Sequence, residues 1–358
     1  MAGLATIGAA ALILSGCASA PEASDDSSAS AGSDIYPCMV SDTGGFDDKS
    51  FNQLGKEGLE AGAAEIGSKS NAVQSDTDAD YAPNIDGLVA DDCSLIITVG
   101  FNLSAATVEA ATANPDVDFA IIDDAADNDF DGKTDADNIK PILFDTSQAA
   151  FMAGYAAASY TKSKIVGTYG GMNFPTVSIF MDGFAQGVDY WNTQKSDSVK
   201  VLGWDEAAQD GTFIGKFEAG TESLAAANNL IDQGADVILP VGGPIYQSAG
   251  EAIQASGKDI ALIGCDADLF NTDSKYQDLY FTSILKDMKT ATSDVITTSA
   301  DSGFDATPYL GNLENKGVGI APFHNFEDKV ADTLQDELDT IQASIISGDL
   351  KVKSYLAS

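Results

Sequence analysis

Basic residues are scarce in this sequence. Its 358 residues include 18 Lys plus Arg against 55 Asp plus Glu, which gives a formal net charge of −37. A surface with this charge repels the phosphates of nucleic acids, so we expect no nucleic-acid partner. The same excess of carboxylates is also compatible with a salty habitat, and composition alone does not distinguish these cases.

The signatures of several enzyme classes are absent as well. The chain has one histidine, His324, and it has neither a Cys-x-x-Cys pair nor a phosphate-binding loop. No nucleophile–base pair is therefore in view. Two Asp-Thr-Gly/Ser triplets, which begin at Asp42 and Asp145, mimic aspartic-protease loops, but each leads into a predicted helix rather than a β-rich lobe. We expect a binding protein without a cofactor, not an enzyme.

An apolar run near the N-terminus, from Leu4 to Leu14, is too short to span a bilayer. It closes on Leu14-Ser-Gly-Cys17, as the apolar part of a signal peptide does. These four residues resemble the bacterial lipobox, which predicts a lipoprotein signal peptide over residues 1–17 and lipidation of Cys17. An ordinary signal peptide with a chance cysteine, or a buried apolar N-terminus, is the alternative. No Lys or Arg precedes the run, which leaves the true start of the chain open.

The next segment, residues 18–34, contains only Ala, Ser, Asp, Gly, Pro and Glu. A segment of this composition has no apolar surface to bury, so we predict a flexible tether. A coil of that length has an r.m.s. span of roughly 20–25 Å. It would hold a folded body away from a membrane surface.

Three further cysteines, Cys38, Cys93 and Cys265, lie in the mature part of the chain. Export permits disulfides. Cys38 lies in the first predicted strand and Cys93 precedes another, so we favour a Cys38–Cys93 bridge between neighbouring strands. Three buried thiols are the alternative.

From Tyr36 onward, short apolar runs alternate with longer amphipathic segments. The runs predict strands over Tyr36–Ser41, Leu95–Val99, Val117–Ile122, Lys140–Phe144, Lys164–Thr168, Val199–Leu202, Val237–Pro240, Ile260–Ile263 and Tyr280–Leu285. The segments predict helices over Phe51–Ile66, Tyr81–Ala90, Ser104–Ala113, Ser147–Tyr160, Val177–Trp191, Glu222–Gln233, Ile245–Ala255, Asp287–Ala300 and Glu327–Ser347. Such alternation predicts parallel sheets covered by helices, and the strand number favours two sheets over one.

The first predicted helix follows a turn that contains Gly44 and Gly45. Ser50 and Gln53 fit a capping box at its start. A helix N-terminus that faces the carboxyl end of a strand is where open α/β sheets bind ligands. We therefore expect ligand contacts near this turn.

Acidic residues, glycines and one lysine follow the predicted strands. In chain order they are Asp42, Phe101-Asn102, Asp123-Asp124, Gly170-Gly171, Gly242-Gly243, Asp266 and Lys286. Because the carboxyl ends of parallel strands share one edge of a sheet, two facing edges would form a cleft lined by these groups. The alternative is that Asp is simply a favoured helix cap, which explains single positions better than the whole series.

Such a cleft suits a solute with hydroxyls and a flat ring. Ionised carboxylates only accept hydrogen bonds, and the hydroxyls of a sugar supply the donors. Phe51, Phe217 and Trp204 are candidates to stack on a ring.

The segment Ser41–Gln53, SDTGGFDDKSFNQ, closely resembles the opening motif of the basic membrane protein family. These proteins are substrate-binding lipoproteins of ABC importers and include purine nucleoside receptors. The likeness continues in order along nearly all of the mature chain, in FAIID (119–123), AAFMAGY (149–155), GGMNFP (170–175), GFAQG (183–187), DQGADVI (232–238), GCD (264–266) and TSILK (282–286).

The resemblance implies a type I periplasmic-binding-protein-like fold. This is an α/β fold in which two doubly wound parallel-sheet lobes are joined by a hinge. Residues 35–145 plus 281–314 would form lobe 1, and residues 146–280 plus 315–358 would form lobe 2.

The same resemblance implies a set of ligand-binding residues. Phe217 falls at the position of the second stacking aromatic, but residues 203–219 depart from the shorter family version, so Phe213 and Trp204 stay open as alternatives. The implied polar contacts to ribose and base are Asp42, Asp123, Asp266 and Lys286, with Phe51 as the first stacking aromatic and Gly242 as a backbone donor.

The function implied is capture of a nucleoside, with a purine as the expected base, and its delivery to an ABC permease. We expect a monomer that is lipid-anchored on the extracytoplasmic face of the cell membrane. A surface sensor or adhesin on the same fold, binding a sugar or a sugar-like signal, is the alternative.

An acidic loop matches the start of a calcium-binding loop, with Asp127, Asp129 and Asp131 at positions one, three and five and Gly132 at six. The twelfth position is Asn138 instead of Glu. We interpret the segment as a solvated acidic loop, with the three aspartates as the candidate metal ligands.

Overall fold

The computed structural model describes residues 34–356. The predicted signal peptide with its Cys17, and the tether up to residue 33, lie outside the described residues. Within residues 34–356, no helix combines the length and the apolar character that crossing a bilayer requires.

Strands and helices alternate along the described residues. The strands are β1 (Pro37–Val40), β2 (Asn71–Val73), β3 (Leu95–Val99), β4 (Asp118–Ile122), β5 (Ile139–Phe144), β6 (Ile165–Gly170), β7 (Lys200–Leu202), β8 (Trp204–Asp205), β9 (Asp210–Gly211), β10 (Val237–Val241), β11 (Ala261–Asp266), β12 (Tyr280–Lys286), β13 (Tyr309–Gly311) and β14 (Val318–Ile320). The α-helices are α1 (Phe51–Glu65), α2 (Tyr81–Ala90), α3 (Ser104–Ala113), α4 (Thr146–Tyr160), α5 (Pro175–Lys195), α6 (Thr221–Asp232), α7 (Tyr246–Ser256), α8 (Leu269–Thr272), α9 (Met288–Ser302) and α10 (Leu334–Ser347).

The strands of residues 34–356 form two six-stranded sheets and one short ribbon. The first sheet has the order β13-β5-β4-β3-β1-β2, and the second has the order β14-β12-β11-β10-β6-β7. Their strand pairs are parallel apart from β12 with β14, which is antiparallel. The ribbon pairs β8 with β9. The predicted α/β fold with two parallel sheets is confirmed.

Each sheet is covered by helices on both faces, which explains its apolar sequence. The central strands β3 and β10 are buried along their whole length, as expected for parallel strands with helices above and below. Helices α2 and α3 cover one face of the first sheet and share a core with it. Helices α6 and α7 do the same for the second sheet. The larger core joins the remaining faces to α1, α4, α5 and α9.

Three chain crossings connect the two sheets, after β5, β12 and β13. Backbone hydrogen bonds tie these crossings together, since the N–H of Asp145 donates to Gly311 O at 2.8 Å and that of Asp287 to Gly317 O at 2.9 Å. The predicted lobe 1 segment began at residue 281, but β12 is hydrogen-bonded into the second sheet, so the second crossing falls at Asp287. The remaining lobe boundaries stay a prediction.

The predicted strands and helices each overlap an observed element. The main difference is the last helix, which was predicted from Glu327 but begins at Leu334. Residues before it form a short 3-10 helix and turns, and the Glu327 carboxylate accepts a hydrogen bond from the Phe323 N–H at 3.1 Å. The sequence did not predict the short strands β2, β8, β9, β13 and β14.

The predicted bridge between Cys38 and Cys93 is confirmed. Cys38 lies in β1 and Cys93 just before its neighbour β3, which brings their Cα atoms to 6.0 Å. Cys265 is a buried free thiol.

We expect the double variant Cys38→Ala/Cys93→Ala to lose about 2–4 kcal/mol of unfolding free energy, because the bridge restricts the unfolded chain. The two half-cystines are 55 residues apart in sequence. Urea denaturation measures the difference. As a control, a reductant should destabilise the wild type and leave the variant unchanged. Equal stability of both proteins without reductant would contradict the prediction.

Candidate functional site

A cavity lies between the facing carboxyl ends of the two sheets. All seven ligand-binding residues expected from the sequence lie on its wall. The lining residues used below are Asp42, Phe51, Phe101, Asn102, Asp123, Phe174, Phe180, Phe217, Gly242, Asp266 and Lys286. The strand ends therefore converge as predicted, while the role of each residue in binding stays a proposal.

Lys286 links the two lobes at the centre of this cavity. Its ammonium, at the end of β12, forms a buried ion pair with Asp123, which follows β4 of the other sheet. It also lies 3.4 Å from Asp266 Oδ1 at the end of β11. The ammonium is further 5.2 Å from the centre of the Phe51 ring and 5.0 Å from that of Phe180. The one ammonium thus interacts with two carboxylates and with the faces of two aromatic rings.

Burial changes the proton affinities of this cluster. Loss of hydration raises the pKa of Asp123 to about 6, although Lys286 opposes the shift. Burial by itself disfavours the charged ammonium, but Asp123 and Asp266 outweigh it and hold the pKa of Lys286 above its usual value. Both carboxylates stand at positive φ, 63° for Asp123 and 67° for Asp266. A non-glycine residue adopts this conformation rarely, and it is often found at functional sites.

One oxygen of Asp266 has room for a further partner. Among residues 34–356, Asp266 Oδ1 is buried and accepts no hydrogen bond. Its neighbour there is the Lys286 ammonium at 3.4 Å, an ion pair without a hydrogen bond, so a solute that donates to this oxygen would add the bond that is missing.

Asp42 is held in place by the residues around it. Its Oδ1 accepts hydrogen bonds from Asn52 Nδ2 at 2.6 Å and from the Gly44 N–H at 2.8 Å. Its own N–H donates to Asn52 Oδ1. Although Asp42 is only half-buried, loss of hydration raises its pKa to about 6. With Oδ1 engaged, Oδ2 is the oxygen that stays accessible beside Gly100 and Phe51.

The start of α1 corrects one prediction. Ser50 is the residue before the helix, but its side chain accepts no capping hydrogen bond, so the predicted capping box with Gln53 is wrong. Asp48 caps the helix, accepting from the N–H groups of Ser50, Asn52 and Gln53 at 2.8–3.1 Å. The Ser50 hydroxyl instead donates across the cleft to Cys265 O at 2.8 Å.

Phe217 is seated on two glycines of the second sheet. A Cβ atom at Gly242 would lie 2.6 Å from its ring, and a Cβ at Gly171 would collide with the same ring. Gly242 also has a φ of 131°, which other residues rarely adopt. Trp204 and Phe213 were the alternatives for the second stacking aromatic. The Nε1 of Trp204 donates to Asp182 at 2.9 Å, and the Phe213 ring packs edge-on against Trp204 with 6.4 Å between the ring centroids. Neither lines the cavity.

The wall includes residues that were not among the predicted ligand contacts. Phe174 lies in the GGMNFP motif after β6, and Asn102 follows β3. Their positions after a strand could have identified both as cavity residues from the sequence. Asn52 had none, because its contact with Asp42 depends on how the intervening turn folds.

The acidic loop brings together a different trio from the predicted one. Asp127, Asp129 and Asp135 have carboxylate oxygens within 4.8 Å of one another, whereas Asp131 pairs with Lys133 at 3.2 Å. The Asp127 carboxylate accepts hydrogen bonds from the N–H groups of Asp131 and Gly132. The loop thus closes partly on its own backbone, and its interpretation as a solvated acidic loop stays a prediction.

Two facing parallel sheets, three crossings and a cavity between the strand ends define a two-lobed solute-binding protein. The sequence matches the family Bmp, described as ABC transporter substrate-binding protein PnrA-like, over residues 35–355, and the chain belongs to that family. Its members bind a small solute and present it to an ABC permease, and they are not enzymes.

Curated relatives match almost end to end. A CD4+ T-cell-stimulating antigen of Listeria monocytogenes is 28% identical, with 98% of this chain and 96% of the relative covered. The ABC transporter nucleoside-binding protein BmpA of Lactococcus lactis is 27% identical, covering 96% and 95%. A solved ABC transporter solute-binding protein from Aeropyrum pernix is 21% identical with a TM-score of 0.78, covering 90% and 94%, which supports the fold.

The buried ion pair predicts a pH-dependent loss of stability. The variant Lys286→Met leaves the Asp123 carboxylate buried without a cation, which should cost about 3–5 kcal/mol at pH 8. Without the cation the pKa of Asp123 rises further, so the folded state binds a proton that the unfolded state releases, and stability falls as pH increases. The loss should therefore be smaller at pH 5 than at pH 8 in urea denaturation.

A matched control is Lys162→Met, which removes a lysine paired at 2.9 Å with Asp259 where both side chains are more than 70% exposed. It should change stability little at either pH. A Lys286→Met loss that is equal at pH 5 and pH 8 would refute the titration of Asp123.

Proposed function

We propose that this protein captures a nucleoside, with a purine as the expected base, in the cavity between its lobes. The observation that carries the proposal is Asp266 Oδ1, which is buried beside the Lys286 ammonium and accepts no hydrogen bond among the described residues, in a residue of the cavity wall that also carries aromatic rings. A ribose supplies hydroxyl donors, and a base supplies a flat apolar face.

Each part of the nucleoside has a suitable partner. Asp42 and Asp266 offer carboxylate oxygens to the ribose hydroxyls, where each charge-assisted bond contributes about 1.5–3 kcal/mol. Phe51 and Phe217 supply the stacking faces for the base, and Gly242 a backbone donor. Lys286 and Asp123 hold the floor of the site and offer a further donor.

The charge of the cavity favours a neutral solute. Its wall carries the carboxylates of Asp42, Asp48, Asp123 and Asp266 against the single ammonium of Lys286. The chain contains no arginine, the residue best suited to bind a phosphate in two places at once. The phosphate of a nucleotide would therefore meet net repulsion.

A relative supports the same solute class. The Lactococcus lactis protein, which matches almost the whole chain, is named a nucleoside-binding protein. Members of the family deliver their solute to an ABC permease. We propose that this protein acts as a monomer and delivers a nucleoside.

Calorimetry on solute-stripped protein tests the solute, using adenosine, guanosine, inosine, uridine, ribose and free bases. We expect one nucleoside per chain. Asp266→Ala should weaken binding by about 2–4 kcal/mol, or roughly 30- to 1000-fold, because a buried charged partner is lost. Phe51→Ala should cost about 1–3 kcal/mol of stacking.

The matched control is Asp259→Ala, an exposed carboxylate before β11, the strand that ends in Asp266. It should leave the affinity unchanged. Unchanged affinity in Asp266→Ala would overturn the site assignment. Binding of ribose or another sugar with no binding of any nucleoside would overturn the solute class.

We also propose that Cys17 carries the lipid that anchors the protein outside the cell membrane. The lipobox-like Leu14–Cys17 and the polar segment after it support this. In the native host, Cys17→Ala should release the protein from membranes, with a mass lower by the acyl chains, as fractionation and mass spectrometry would measure. Continued membrane association with no loss of mass would rule out lipidation.

A further inference from the structure

Two phenylalanine rings meet across the cleft. Phe101 lies in the 3-10 helix after β3 of the first sheet, and Phe174 lies after β6 of the second. Their ring centroids are 4.6 Å apart and their planes differ by 21°, which is a stacked pair. Among the ring pairs of residues 34–356, it is the one that joins the two sheets.

Both rings are carried by rigid backbone. Phe174 is held extended, with φ −107° and ψ 149°, directly before Pro175, a position that disfavours helical backbone. Its carbonyl accepts the N–H groups of Val177 and Ser178 in the first turn of α5. On the other side, Gly100 fixes the turn that carries Phe101, accepting from the Leu103 N–H and donating to Ile122 O. Hydrogen bonds within each lobe therefore fix the backbone that carries each ring.

The stack differs in kind from the polar contacts across the cleft. Lys286–Asp123 and Ser50–Cys265 are buried and polar, so opening the cleft lets water replace them. The two half-buried rings expose apolar surface when they separate, which water does not compensate. Both rings also line the cavity, so the stack lies at the wall where the two lobes meet around a solute.

We propose that Phe101 and Phe174 form a latch that holds the lobes together and sets how long a solute stays bound. This function needs a solute-binding cleft but no particular solute. The rings act on each other across the cleft, so removal of either one breaks the same contact. That property separates a latch from two rings that each contact the solute independently.

A double-mutant cycle tests this property. The variants Phe101→Leu, Phe174→Leu and their combination are compared in stopped-flow dissociation of inosine. Each single change should raise the dissociation rate about 2- to 13-fold, the rate equivalent of one aromatic pair. The combination should raise it no further than the larger single effect, because the contact is already broken. Effects that multiply in the combination would overturn the latch.

A second measurement does not depend on the solute. Spin labels at Asp86→Cys on α2 and Asn228→Cys on α6, in a Cys17→Ala background, report the distance between lobes by electron–electron resonance. The native Cys38 and Cys93 are bridged and Cys265 is buried, so they do not react. In solute-stripped protein, either leucine variant should broaden the distances toward a more open form. An unchanged distribution would overturn the latch.

The control is Tyr190→Leu, which breaks a ring pair inside one lobe, with Phe151 at 5.3 Å. It should leave both the inosine dissociation rate and the label distances as in the wild type. If no nucleoside binds, the proposed solute is wrong, and the label distances still decide for or against the latch.

Discussion

The structure depends on one buried ammonium. Lys286 stands at the end of β12, the strand that leads into the second crossing between the sheets, and it pairs with Asp123 of the other sheet. An ion pair removed from water is stable only if its geometry satisfies both charges. The position of each lobe is therefore coupled to the state of this cluster. The same cluster forms the floor of the cavity, so lobe closure and solute binding share one set of atoms.

The surplus of negative charge explains why the site binds rather than reacts. One ammonium serves two carboxylates, and Asp266 retains an oxygen that accepts no hydrogen bond from the described residues. Among the described residues, the cavity wall carries no activated nucleophile, and burial raises the pKa of the nearby Cys265 thiol above its usual value. What the cavity offers is acceptors and aromatic faces. This is the chemistry of recognition, and it matches the family to which the chain belongs.

The sequence predicted the long elements well because their patterns are local. Buried parallel strands such as β3 read as continuous apolar runs, and helices such as α2 show amphipathic spacing, so their bounds could be predicted. The edge strands β2, β13 and β14 have three residues each, and their pairing depends on neighbours distant in sequence. The late start of α10 has the same origin, since turns around Phe326 compete with the helix.

By itself, the sequence determined that carboxylates, glycines and one lysine would gather at facing strand ends, because a parallel sheet places all its carboxyl ends on one edge. Only the tertiary structure decided which partner each of these side chains contacts. It placed the Ser50 hydroxyl across the cleft, where it donates to Cys265 O. In the tertiary structure, Phe217 lines the cavity whereas Phe213 and Trp204 do not, and the Phe101 ring stacks on that of Phe174. Such choices depend on distances between segments far apart in the chain, which no local pattern encodes.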